Sequence, residues 1–176
     1  PAQVPLARMV DPGMVAAMSE TVLAHVLDWH RHLYQYRAHQ RRREWRRIEQ
    51  RMASDRTVGL LALGFNVAGW SRRPKDLPGV RCFTELSAML EITDALVCLL
   101  PLTRETAGVL NARSFAAMRP GGCVINVARG AHLVARDLLG ALDSGRLAHA
   151  YLDVLDPEPL PAGAALWAHP GITLTP

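Results

Sequence analysis

The stretch TVGLLALGFNVAGWSRR, residues 57–73, decides how the chain folds. Its first part, TVGLL at 57–61, is a short apolar, β-prone run of the kind that forms a buried parallel strand, and NVAGW at 66–70 reads as a second. Only Ala62, Leu63 and Gly64 separate the first run from Phe65. Parallel neighbours in one sheet need a crossover of about a dozen residues, normally a helix, so three residues cannot supply it. The stretch is therefore one bent strand, a tight hairpin, or two strands whose connection is missing. The hairpin is poor chemistry, because Leu63-Gly64 is not a favoured turn pair and both flanks are strongly apolar.

Outward from this stretch the chain alternates strands with helices. Residues 72–78 form a polar connection, 80–83 a short strand, and 85–90 a short helix with Leu86, Met89 and Leu90 facing inward. The apolar run 95–100 closes at Pro101, which a central strand tolerates only at its end. A helix over 111–118 stops at Pro120-Gly121-Gly122 and is followed by a buried strand at 123–127. Leu138, Leu139 and Leu142 mark the inner face of a helix ending at Ser144-Gly145, and 149–154 and 172–174 are the last strands. Upstream, Met18, Val22, Val26, Trp29 and Leu33, widened by Leu23, Leu27 and Tyr34, predict one long amphipathic helix over 14–40. The order implies an α/β fold, a doubly wound parallel sheet covered on both faces.

The composition is globular: 176 residues, 49% hydrophobic, can bury one good core. No apolar run approaches the length of a bilayer span, and PAQVPLARMV lacks the order of a secretion signal. Cys82, Cys98 and Cys123 have no paired spacing, which argues for reduced thiols in a cytoplasmic protein rather than a disulfide framework or a zinc site. The net charge of +4 is local, since residues 31–47 hold seven Arg against one Glu and the remainder nets −2. Such a block could serve nucleic acid or an anionic small molecule, but aromatic interleaving is slight, and a solvated helix end and loop is the preferred reading. His25, His30, His32 and His39 lack compact ligand spacing joined to a carboxylate, so we expect no metal site and assign the histidines to surface or packing.

In an open parallel sheet, ligands sit beyond the C-terminal ends of the strands. Those ends carry GWSRRPK (69–75), LLPLTRETAGVLN (99–111), GGCVINVARG (121–130) and LLGALDSGRLAHAYLDV (138–154), followed by DPEPLP (156–161) and LWAHPGITLTP (166–176), with MSETVLAHVL (18–27) upstream. Together they resemble the D-isomer-specific 2-hydroxyacid dehydrogenase family, and within it the glyoxylate/hydroxypyruvate reductases. NVARG, LDV and EPLP at these intervals form a specific combination, where each alone is weak. The resemblance implies a Rossmann-like NAD(P)-binding domain over 1–176, with 14–40 as an interdomain helix that packs against a twofold partner in a homodimer.

It also implies parts that this text lacks. A G-x-G-x-x-G turn and its helix, about 18 residues, belong between the first two strands. We therefore read the join within 61–65 as a scar, left by unlisted residues or by a real deletion. Position 1 is Pro rather than Met, so the true N-terminus is expected to lie elsewhere; most of a substrate-binding domain would precede Pro1, and a catalytic histidine would follow Pro176.

The implied chemistry is reduction of a 2-keto acid to a D-2-hydroxy acid by hydride from a nicotinamide. Arg129 would hold carboxylate and carbonyl oxygens at once, its alternative being a surface ion pair. Glu158 would keep the histidine protonated, its alternative being a loop charge. Asp153 would lie near the carboxamide. Leu100, Pro101 and Thr106 would line the ribose and phosphate side, and Val127 and Ala128 would offer backbone groups. Sites for NAD place a carboxylate after the second strand, whereas a 2′-phosphate calls for Arg. Here that position reads Ser71-Arg72-Arg73 with Lys75 nearby, which predicts NADP(H) over NAD(H). A small-molecule 2-keto acid is the expected partner, with neither nucleic acid nor membrane. The alternative reading is a catalytically inactive truncated fragment acting as a dimerisation or binding module.

Overall fold

The computed structural model describes residues 12–42, 44–59 and 66–175. Seven strands form one sheet in the order β3-β2-β1-β4-β5-β6-β7: β1 (Thr57–Gly59), β2 (Asn66–Trp70), β3 (Val80–Phe83), β4 (Ala95–Cys98), β5 (Gly122–Asn126), β6 (Leu147–Leu152) and β7 (Ile172–Leu174). Every pairing in it is parallel. In particular Thr57, Val58 and Gly59 lie beside Asn66, Val67 and Ala68. That register excludes both the hairpin and the single bent strand, leaving two parallel neighbours joined through residues 60–65. The join itself lies outside the described residues.

Two of the strands lie a little earlier than expected. β5 begins at Gly122 and β6 at Leu147, and β4 ends at Cys98 where 95–100 was expected. The reason is pairing: Cys98 lies opposite Asn126, the last residue of β5, so Leu99 and Leu100 have no ladder partner there.

Side chains alternate across the sheet. Leu96, Cys98, Val124, Ala150 and Leu152 face a layer built from Met89 and Leu90 of α3 (Leu86–Leu90), Phe115 of α4 (Ala112–Ala117) and Leu138 and Leu142 of α5 (Ala135–Asp143). Val58, Ala95, Val97, Cys123, Ile125 and Tyr151 face the opposite way, against Val22, Val26 and Trp29 of α1 (Pro12–His30). α4 starts where it does because the Asn111 carboxamide accepts the amides of Arg113 at 3.0 Å and Ser114 at 3.1 Å, while Ser114 Oγ accepts the Asn111 amide at 2.9 Å. α5 ends at Gly145, whose φ of 72° suits the residue after a helix.

The expected single helix over 14–40 is two helices, α1 and α2 (Leu33–Arg41), broken at His32. His32 takes a left-handed conformation, φ 56° and ψ 30°, which ends the ladder of α1 and redirects the chain. The wide apolar stripe is divided accordingly. Val22, Val26 and Trp29 are buried on the chain's own sheet, whereas Met18, Leu27 and Leu33 stay exposed.

At the N-terminal edge the buried Asp94 carboxylate ties three elements together. It accepts the Thr57 amide at 2.8 Å, Arg119 Nη1 at 3.1 Å and Arg56 Nη1 at 3.5 Å. Arg56 also lies over the Trp29 ring, 4.8 Å from its centre.

Candidate active site at the C-terminal edge of the sheet

The end of β5 builds the first wall. Asn126, fully buried, uses both ends of its carboxamide locally: Oδ1 accepts the Ala128 amide at 3.2 Å and Nδ2 donates to the Arg129 carbonyl at 3.1 Å. Val127 and Ala128 are buried, and Arg129 points its side chain out from the edge. Its guanidinium donates from Nη1 to the Ala128 carbonyl at 2.6 Å, so the fork folds back over its own turn. The chain then enters a short 3-10 turn, Gly130–His132. His132, also fully buried, presents Nδ1 to the Arg129 carbonyl at 3.0 Å.

The end of β6 builds the second wall, and the two are packed together. The Asp153 amide donates to the Asn126 carbonyl at 3.0 Å, and Asp153 Oδ1 accepts Thr175 Oγ1 at 3.2 Å. A β-carbon on Gly130 would lie 1.9 Å from the Leu155 carbonyl oxygen, so only glycine fits there. Glu158 turns back to accept the Leu155 amide on Oε1 at 2.6 Å, from a loop with cis bonds at Asp156-Pro157 and Glu158-Pro159. The Arg129 turn and the loop carrying Glu158 thus meet through Gly130 and Leu155.

The third region lies beyond β2 and β4. Ser71 is anchored by its amide to the Phe83 carbonyl at 3.1 Å and by Oγ to the Arg73 carbonyl at 2.7 Å. Arg72 and Arg73 are exposed. Thr106 Oγ1 donates to the Pro101 carbonyl at 2.7 Å and accepts the Thr103 amide at 2.8 Å, which shapes the loop after β4. In that loop the Glu105 carboxyl is held below its ordinary value by a hydrogen bond with Thr103, then by its own backbone, with the Arg72 charge adding to both. A cavity of about 230 Å³ opens between the two strand ends, lined by Trp70, Met89, Leu96, Leu100, Val109 and Leu110 among others. Its walls are apolar, as a flat heterocycle requires, and the Arg72 and Arg73 cations follow Trp70 after Ser71.

All the residues singled out from sequence therefore stand at this edge, in two groups: Arg129, Val127, Ala128, Asp153 and Glu158 at β5 and β6, and Ser71, Arg72, Arg73, Leu100, Pro101 and Thr106 at β2 and β4. Sequence reading missed Asn126, Gly130 and His132. A polar residue ending an apolar run was the available signal for Asn126; nothing in the text marks His132 out from the other histidines. No group of three or more metal-ligating side chains occurs among the described residues.

Residues 23–176 match the family described as D-isomer specific 2-hydroxyacid dehydrogenase, NAD binding domain. The chain belongs to this family. Its relatives among the D-isomer-specific 2-hydroxyacid dehydrogenases include glyoxylate/hydroxypyruvate reductase A of Serratia proteamaculans (strain 568), 44% identical, and that of Yersinia enterocolitica, 40% identical. Each alignment runs over 193 residues, 17 more than the chain has, and covers all of this chain and 62% of the relative. The chain thus spans about three-fifths of the length of these relatives. Among solved structures of the family, the dehydrogenase from Xanthobacter autotrophicus Py2 in complex with NADPH and MES superposes with a TM-score of 0.94 at 39% identity, covering 99% of this chain and 79% of that one. The NADPH-dependent glyoxylate/hydroxypyruvate reductase of Sinorhizobium meliloti, in complex with NADP and sulfate, gives 0.91 at 38% identity, covering 99% and 62%.

Proposed function

We propose that this chain is the dinucleotide-binding part of an enzyme that reduces a 2-keto acid of the glyoxylate or hydroxypyruvate type to a D-2-hydroxy acid, using NADPH in preference to NADH. The balance is one keto acid, one hydride and one proton to one hydroxy acid. The observation that carries the reading is Arg129: an outward guanidinium on a turn held by buried hydrogen bonds, packed against the loop that carries Glu158.

NADPH supplies the hydride when bound. Arg129, released from the Ala128 carbonyl, grips the substrate carboxylate and the keto oxygen, and its charge stabilises the alkoxide as that oxygen gains electrons. Glu158 is the anion that pairs with the family's acid histidine and holds its proton near neutral pH. On the cofactor side the donors fit. The apolar cavity by Trp70 suits the adenine, and Ser71, Arg72 and Arg73 offer a hydroxyl and two cations, with no carboxylate, to a 2′-phosphate.

A second reading is favoured by one observation. β1 and β2 are parallel neighbours, yet the text between them is LLALGF, which contains no G-x-G-x-x-G. A chain covalently closed over that join lacks the turn on which a pyrophosphate rests, and would serve as a dimerisation or binding module. We further infer a homodimer, with Met18, Leu27 and Leu33, the exposed part of the α1 and α2 stripe, as the contact. A cytoplasmic location is supported by the three free thiols. A nucleic-acid role has little behind it, since Arg37 is paired with Asp28 and Arg42 with Glu44.

The deciding experiment is steady-state reduction of glyoxylate and hydroxypyruvate with each nucleotide, for the wild type and for Arg129→Ala. The reading expects NADPH-preferring turnover that falls by about two orders of magnitude or more in the variant. Equal turnover in the two proteins would overturn it, and an intact-mass measurement with no dinucleotide retention would favour the module. A monomer by light scattering would remove the dimer.

A further inference from the structure

We propose that Asn126 and His132 are positioning residues that set where the Arg129 guanidinium stands, and that they do so through one atom, the Arg129 carbonyl oxygen. The inference rests on the role given to Arg129 above. Three donors converge on that oxygen: Asn126 Nδ2 at 3.1 Å, His132 Nδ1 at 3.0 Å and the His132 amide at 3.2 Å. A carbonyl has two lone pairs, so it is saturated. The other end of the Asn126 carboxamide holds the Ala128 amide at 3.2 Å, and the Asn126 carbonyl takes the Asp153 amide at 3.0 Å. One side chain therefore grips the main chain on either side of the Ala128–Arg129 peptide, at the Ala128 amide and the Arg129 carbonyl, and the Asn126 main chain ties the turn to the end of β6.

Two features separate this from ordinary packing. Both side chains are fully buried, where apolar residues of similar volume would avoid the cost of desolvating an amide and an imidazole. Arg129, by contrast, has an exposed side chain whose single described bond is to the neighbouring Ala128 carbonyl. Among the described residues no other side chain bonds the fork, so the main chain under it sets its place. The arrangement also fixes one proton of the ring. A carbonyl only accepts, so His132 carries a proton on Nδ1, while Nε2 is buried with no hydrogen-bond partner among the described residues.

The test compares His132→Asn, whose amide nitrogen can occupy the place of Nδ1, with His132→Leu, which cannot donate. Asn126→Asp is the third variant: it keeps the acceptor for Ala128 and sets a carboxylate oxygen against the Arg129 carbonyl. The expected result is a rise of about tenfold or more in the keto acid KM for His132→Leu and Asn126→Asp, with the NADPH KM within about twofold of wild type and His132→Asn close to wild type. A purely structural role predicts that KM follows melting temperature in all three, His132→Asn included, and that result overturns the proposal. Should Arg129→Ala retain full turnover, the functional reading fails instead. Nitrogen-15 spectra of the wild-type imidazole give a readout free of turnover. An Nδ1-protonated His132, with amide exchange at 128–132 faster by about tenfold in Asn126→Asp, supports the assignment, and a ring protonated on Nε2 alone or unchanged exchange overturns it.

Discussion

Gly130 approaches Leu155 so closely that an added β-carbon would sit 2.0 Å from its carbonyl carbon and 2.5 Å from the Asp156 nitrogen. These are backbone atoms and cannot swing aside as a side chain would. Gly130→Ala must push the two loops apart, at a cost of about 3 kcal/mol in urea unfolding, together with loss of keto acid affinity. An alanine variant with wild-type stability and KM would show that the loops do not need this contact.

Arg72 and Arg73 are exposed, and no carboxylate follows β2 within Ser71 to Lys75. Joint replacement of both arginines by alanine should raise the KM for NADPH by about tenfold or more and leave that for NADH nearly unchanged, because only the former carries a 2′-phosphate. Parallel changes for the two nucleotides would refute the assignment.

Asp94 is the buried hub of the opposite edge, bonded to the Thr57 amide, Arg119 and Arg56. Removing it strands the Arg56 guanidinium, whose side chain is only 13% exposed. Asp94→Ala should therefore cost about 3–5 kcal/mol in chemical denaturation. A loss below about 1 kcal/mol would mean that Arg56 finds water or another partner.

His149 lies between Tyr34 and Tyr151, with ring centres 4.2 and 4.7 Å away, and its Nε2 meets Thr173 Oγ1 at 2.9 Å. Burial pushes its pKa from 6.5 down to about 4, with Asp28 opposing and Arg37, His169 and His25 assisting. The folded value lies below the unfolded one, so the unfolded chain binds more protons between these limits. Stability is unaffected above 6.5, falls as pH drops toward 4, and loses no more from this group below that. The drop should reach about 3 kcal/mol for this histidine. His25, lowered chiefly by burial against the pull of Asp153 and Asp28, adds in the same direction. Urea midpoints between pH 7 and 4 should fall less steeply in His149→Gln, and an equal slope would assign the loss elsewhere.

The bounds of β2, β3 and β7 were readable because each is a short apolar run bracketed by polar or turn residues. β4 was overextended because its end is set by a neighbour: Asn126 turns away, and no property of Leu99 or Leu100 announces that. The break at His32 was equally hidden, since a left-handed histidine inside an amphipathic pattern carries no composition signal. Arg129 and Glu158 could be found through their motifs. His132 could not, because its importance arises only once the 3-10 turn after Arg129 brings its ring back onto a carbonyl that Asn126 also holds, a geometry no residue type announces.

The pairing of β5 with β6 has a mechanical consequence. The two strands run together from Gly122 and Leu147 to Asn126 and Leu152, and the Asp153 amide adds one more rung on the Asn126 carbonyl. The turns that carry Arg129 and Glu158 thus stand on one continuous ladder. Under mild denaturant their amide protons should exchange together rather than loop by loop, so the keto acid end would be kept or lost whole.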